Sequence, residues 1–170
     1  MIFDDTQCTL GEGPLWHPLR GTLFWFDILG KRLHSKAGQW QFDEHVSAAG
    51  WVDADRLIIA SQTALIRFDL RDGSQTPLCP LEADNPVTRS NDGRADPQGG
   101  FWIGTMGINA EPGAGAIYRY FKGELRQLFA PVTISNAICF APDGKTAYFT
   151  DTPTQKIMRV ALDADGWPQG

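Results

Sequence analysis

Four short apolar runs punctuate the chain: LFWFD at 23–27, LIIAS at 57–61, FWIGT at 101–105 and AYFTD at 147–151. Each follows a turn signal (RGT, DADR, PQGG, PDGKT) and each closes on a polar residue. A second, alternating run comes next: KRLHSKA (31–37), ALIRFDL (64–70), AIYRYF (116–121) and KIMRVAL (156–162). The buried runs start 34, 44 and 46 residues apart. A period of that length predicts one supersecondary unit used several times over. An earlier strand stands ahead of the buried run, as in EGPLWHP, SAAGWVD and ISNAICFAPDG. Three or four antiparallel strands at this period predict the blade of a β-propeller, in an all-β chain of about four blades. Helical periodicity of 3.6 residues is weak throughout. A β-sandwich of evenly spaced strands is the competing fold. The fixed order of turn, buried run and amphipathic run favours the propeller.

In a propeller the innermost strand of each blade lines a central channel, so the residues that begin these strands converge. The inner-strand candidates are EGPLWH, SAAGWV, RSNDGRAD and ISNAICF. Their leading polar residues are Glu12, then Arg89 with Asn91 and Asp92, then Ser135 with Asn136. The second unit offers only Ala48, Ala49 and Gly50, which leaves room. Carboxylate and amide oxygens meeting in one place suit a hard divalent cation. Local readings compete with this one. Glu12 could be a turn residue paired with Arg20. Asn91 and Asn136 could form Asx turns, which these residues favour on their own. Asp27 and Asp151 end matching strands and read as acceptors for the backbone of a neighbouring turn. Asp143-Gly144 reads as a β-turn, and Trp16, Trp25, Trp51 and Trp102 as packing between blades.

Composition narrows the function classes. With 170 residues, the chain can bury a core. A net charge of −5 without a Lys/Arg run argues against nucleic acid and anionic membranes as partners. No segment reaches 18 consecutive apolar residues, and MIFDDTQC lacks the pattern of a secretory signal. Cys8, Cys79 and Cys139 are widely spaced with no CxxC pair, which fits reduced thiols in a cytoplasmic protein. His17, His34 and His45 lack zinc-site spacing and read as surface or hydrogen-bonded residues.

Four segments in register carry a more specific signal: LGEGPLWHPLRGTLFWFDI, RSNDGRADPQGGFWIGTMG, GAIYRY and ISNAICFAPDGKTAYFTDT. Together they resemble the SMP-30/gluconolactonase/regucalcin-like family of six-bladed propeller lactonases. The resemblance runs from about residue 9 to the end. It implies one divalent metal ion (calcium, zinc, magnesium or manganese) held by Glu12 and Asn136. It implies substrate oxygens held by Arg89 and Asn91. Asn109 falls where some members carry an acid in a substrate-covering loop, with Glu111 nearby. The implied reaction is hydrolysis of a sugar-acid lactone, the metal polarising the carbonyl or activating water. The residue after Asn136 is Ala137, where the family motif reads SNG.

The family's third metal ligand, an aspartate that also serves as base, lies about 50 residues beyond the asparagine ligand. That position falls past Gly170. Residues 1–170 are therefore expected to form a single propeller domain, incomplete at its C-terminus. Its open edge would invite self-association. Two function classes follow. One is a metal-dependent sugar lactonase. The other is a non-catalytic propeller, a binding or scaffold fragment without the third ligand. An arylesterase of the paraoxonase-like propellers is a third reading.

Overall fold

The computed structural model describes residues 1–169. Fifteen strands build four antiparallel sheets arranged as four propeller blades. The first blade holds β1 (Gly11–His17), β2 (Thr22–Asp27), β3 (Arg32–Ser35) and β4 (Gly38–Gln41). The second holds β5 (Val46–Trp51), β6 (Arg56–Ser61), β7 (Ala64–Asp69) and β8 (Gln75–Pro80). The third holds β9 (Thr88–Ala95), β10 (Phe101–Gly107), β11 (Gly115–Phe121) and β12 (Glu124–Val132). The fourth contributes β13 (Ser135–Phe140), β14 (Thr146–Asp151) and β15 (Lys156–Ala161). A single 3-10 turn, Thr152–Thr154, separates the last two. Each blade is an up-and-down meander in chain order, and β1, β5, β9 and β13 lie side by side as the inner strands. Among the described residues, no helix is long and apolar enough to cross a membrane.

The core is three clusters, one for each blade-to-blade interface. Phe24, Phe26, Ile59 and Phe68 belong to the first, Ile58, Leu65, Phe101 and Ile103 to the second, and Trp102, Ile117, Ile138 and Phe149 to the third. The period of two explains the sequence pattern. Leu57 and Ile59 of β6 face the first blade, while Ile58 and Ala60 face the third. A strand buried on both faces must be apolar at successive positions, hence LIIA. Each such Leu or Ile contributes about 1.5–3 kcal/mol on full burial.

Asp27 and Asp151 each fix the entry to the inner strand of their own blade. The carboxylate of Asp27 accepts the N–H groups of Thr9 and Leu10, both at 2.9 Å, and of Gly30 at 3.0 Å. Asp151 accepts the N–H groups of Thr133 at 3.1 Å and Ile134 at 2.8 Å. Each acid thus ends the second strand of its blade and pins the chain that leads into its inner strand. The third blade uses a different device. Glu82 accepts the hydroxyls of Thr88 (2.5 Å), Tyr118 (2.7 Å) and Thr105 (3.0 Å).

Three sequence readings are corrected. Glu12 is not paired with Arg20, which bridges to Asp55 at 2.8 Å across the blade boundary. Of the four tryptophans read as packing between blades, Trp102 is fully buried and Trp51, though 42% exposed, packs on His17 of the first blade with ring centroids 5.9 Å apart, but Trp16 is 59% exposed. His34 is buried and stacked on Trp25, with ring centroids 5.6 Å apart, rather than lying at the surface. The Asp143-Gly144 turn forms as read, with Gly144 donating to the Ala141 carbonyl at 2.9 Å.

Candidate active site at the channel mouth

Every inner strand carries a bulge near its start. The register slips between Glu12 and Leu15 in β1, between Val46 and Ala48 in β5, opposite Ile103–Thr105 in β9, and between Asn136 and Cys139 in β13. A bulge inserts one residue and re-aims the side chains beside it. In β1 and β13 the turn of the backbone is the same. Gly13 and Ala137 both sit at φ 57°. Glu12 and Asn136, the residues just before them, therefore occupy matching positions in the first and fourth blades. Gly13 is required for a second reason. A Cβ there would lie 2.1 Å from the Ser47 carbonyl oxygen of the next blade.

The polar side chains at this end form a series. Arg89 is 5% exposed and donates from one terminal nitrogen to the Ser90 carbonyl and to Asn91 Oδ1, both at 2.9 Å. Asn91 Nδ2 donates to the Ser135 carbonyl at 2.8 Å and to Asn136 Oδ1 at 3.2 Å. Asn136 Nδ2 donates to Thr152 Oγ1 at 2.9 Å. The two asparagine amides are thus oriented from both sides, which local Asx turns would not require. Burial pushes the Arg89 pKa down, and the charge of Glu12 works against that shift. The guanidinium stays charged regardless. Its Nε is buried without a protein partner. Glu12 itself is exposed and has no hydrogen-bond or ion-pair partner among the described residues.

The other candidates behave differently. Asp92 turns down the channel, where its carboxylate accepts the Ile138 N–H at 2.7 Å. Burial raises its pKa, outweighing that hydrogen bond and the charge of Arg94. Asn109 lies exposed in the loop after β10, bound to Glu111 through its backbone N–H and its Nδ2, each at 3.0 Å. No hydrogen bond joins it to Arg89 or Asn91.

Sequence reasoning passed over two contributors, Ser47 and Thr152, and named Ser135 only as a polar leader without the role of its carbonyl. Ser47 is fully buried and donates to Ser90 Oγ at 2.8 Å, so the second blade is not blank at this end. Ser135 supplies the carbonyl that holds Asn91, and Thr152 orients Asn136. Ser47 opens the strand candidate SAAGWV, but the reading took only Ala48, Ala49 and Gly50 as what that blade offers. Thr152 follows the matching strand end FTD, where a hydroxyl gave no signal of its own.

The donor chemistry suits a hard cation: a free carboxylate on Glu12 and an amide oxygen on Asn136. In number it falls short, since calcium takes six to eight oxygens. Among the described residues, no group of three or more His, Cys, Asp or Glu converges as a metal site.

Comparison with known proteins places the fold in a family. A family model described as the SMP-30/gluconolactonase/LRE-like region matches residues 10–169. A Rhizobium meliloti relative, whose name proposes a sugar lactone lactonase, is 43% identical over 168 residues, covering 95% of this chain and 57% of its own. The L-arabinolactonase of Azospirillum brasilense is 36% identical over 169 residues, covering 92% of this chain and 56% of its own. The crystal structure of a calcium-binding protein, regucalcin, from Agrobacterium tumefaciens superimposes with a TM-score of 0.95 at 44% identity. That match covers 98% of this chain and 59% of the other. The chain thus spans a little over half the length of the relatives it matches. It belongs to the SMP-30/gluconolactonase/LRE-like family.

Proposed function

We propose that the channel mouth is where a sugar-acid lactone is hydrolysed. The observation that carries this reading is the series Arg89–Asn91–Asn136, hydrogen-bonded across two blades beside the unpaired carboxylate of Glu12. Groups already held in place lose little freedom when a substrate arrives, which is the requirement for orienting a polyhydroxy ring. The names of the lactonase relatives support the substrate class.

In this reading Arg89 and Asn91 hold the lactone's hydroxyl and carbonyl oxygens. Arg89 faces the negative charge that develops on the carbonyl oxygen as water adds to the carbon. The ring C–O bond then breaks, the ring oxygen takes a proton, and a hydroxy acid leaves. A divalent ion held by Glu12 and Asn136 would supply Lewis acidity toward the carbonyl when bound. By resemblance to the family, the proton acceptor would be an aspartate about 50 residues beyond Asn136.

The test is acid release from gluconolactone and arabinonolactone by the product of the whole reading frame, above the spontaneous rate. Glu12→Gln is expected to lower kcat/KM by at least about 100-fold, the scale of losing one preorganised electrostatic group. Arg89→Met is expected to raise KM as well as lower kcat. Wild-type turnover in the Glu12→Gln protein would sink the assignment.

A further inference from the structure

A separate cavity lies at the other end of the channel. It is an open groove of about 1040 Å³ where the inner strands finish, between the second and third blades. Trp51 ends β5 and Phe140 ends β13, and both line it, with Leu78 and Tyr120 from the outer strands. The size is that of a small-molecule site, and so is a mostly apolar lining with a few polar groups.

Two of those polar groups are arginines, Arg67 and Arg94. Arg67 is exposed and has neither ion-pair nor hydrogen-bond partner among the described residues. The neighbouring arginines are satisfied. Arg71 pairs with Asp69 at 2.6 Å, and Arg56 pairs with Asp53. Arg94 spends only its Nε, on the Ile138 carbonyl at 3.2 Å. The acids nearby are committed elsewhere. Asp96, which lines the groove, is consumed by Arg119 at 2.6 Å with both side chains fully buried. Asp92, whose charge reaches Arg94, is held by the Ile138 N–H.

We infer that this groove binds a small organic anion with a flat apolar body, such as an aryl carboxylate. The apolar body lies against Trp51, Tyr120 and Phe140, and the acid meets the free guanidinium groups of Arg67 and Arg94. Charge-assisted hydrogen bonds from arginine to carboxylate are the strong ones, and the carboxylate beside Arg67, Asp69, is already paired with Arg71. The site lies at the opposite end of the inner strands from Glu12 and Arg89, so its ligand need not be a lactone.

Cys139 also lines the groove and is an exposed free thiol, while Cys8 and Cys79 are half-buried. It therefore reports occupancy. The probe is 1-naphthoate, with uncharged 1-naphthamide as its control, on the whole reading-frame product. Calorimetry should show naphthoate binding at least tenfold tighter than the amide, and naphthoate alone should slow alkylation of Cys139. The R67Q/R94Q double variant should lose that preference while still unfolding in one cooperative transition, since Arg67 has no partner to lose and Arg94 gives up one hydrogen bond, to the Ile138 carbonyl. Equal binding of acid and amide, no binding of either, or an unchanged preference in the double variant would each overturn the inference.

Discussion

The two ends of the channel share the same four inner strands yet have opposite characters. Where the strands begin, bulges gather Arg89, Asn91 and Asn136 into a series in which each amide is fixed by a named partner. Where they finish, Arg94 and, from β7, Arg67 line a groove shared with aromatic residues and have little to hold them. The first arrangement is preorganised and suits chemistry that depends on position. The second is adaptable and suits binding. The contrast teaches that a strand's place in the fold does not decide its use. The bulge and the hydrogen bonds around it do.

The largest effect should come from breaking the anchor behind the adaptable end. Asp96→Asn leaves the fully buried charge of Arg119 without its counter-ion. Removing one partner of a buried pair costs about 3–5 kcal/mol. Urea unfolding should show that loss, and a change below 1 kcal/mol would mean that Arg119 is held by its stacking on Phe121 and Trp167 instead.

At the preorganised end, Gly13→Ala should cost about 1–3 kcal/mol, because the new Cβ collides with the Ser47 carbonyl oxygen and the residue keeps a positive φ. The matching change in the fourth blade runs the other way. Ala137 is exposed at φ 57°, so Ala137→Gly should stabilise by up to about 1 kcal/mol in the same assay. Opposite signs at matching bulges would sharpen the equivalence of Glu12 and Asn136. Equal signs would break it.

The smallest effect is on pH dependence. Burial opposes the charge on Asp27, but the N–H groups of Leu10, Thr9 and Gly30 outweigh it and hold the pKa below the ordinary carboxylate value. Its stabilising contribution is present above that ordinary value and lost as pH falls through the depressed one. Asp92 has the reverse sign, because its folded pKa is raised by burial. Its ionisation costs stability as pH climbs from the ordinary value through the raised one. Urea midpoints between pH 3 and 7 should therefore flatten on the acid side in Asp27→Asn, and fall less with rising pH in Asp92→Asn.

The blades were legible because burial leaves a period in the sequence. LIIAS and FWIGT belong to the second and third blades, whose second strands have a blade on either side, and their apolar runs are nearly continuous. AYFTD alternates instead, with Ala147 and Phe149 in the core and Tyr148 half-buried. Glu12, Arg89, Asn91 and Asn136 were legible as strand-leading polar residues, and the structure gathers them at one end of the channel. Ser47 and Thr152 were not, because a serine or threonine beside a strand looks the same whether its hydroxyl faces water or an asparagine amide. The exposure of Trp16 and Trp51 was equally hidden, since an aromatic residue in a strand signals a face without saying what covers it. Nor could the sequence reveal that Arg20 reaches Asp55 rather than Glu12, because that choice depends on which blade edge stands opposite.

The most direct test of the preorganised end is thermal melting of the whole reading-frame product with calcium, zinc, magnesium or manganese added in turn. An ion that binds only the folded state must raise the melting temperature. The account predicts a rise with at least one ion in the wild-type protein, and no rise in Glu12→Gln or Asn136→Ala. The same rise in both variants, or none with any ion in the wild type, would contradict the reading of these two residues as one metal-holding site.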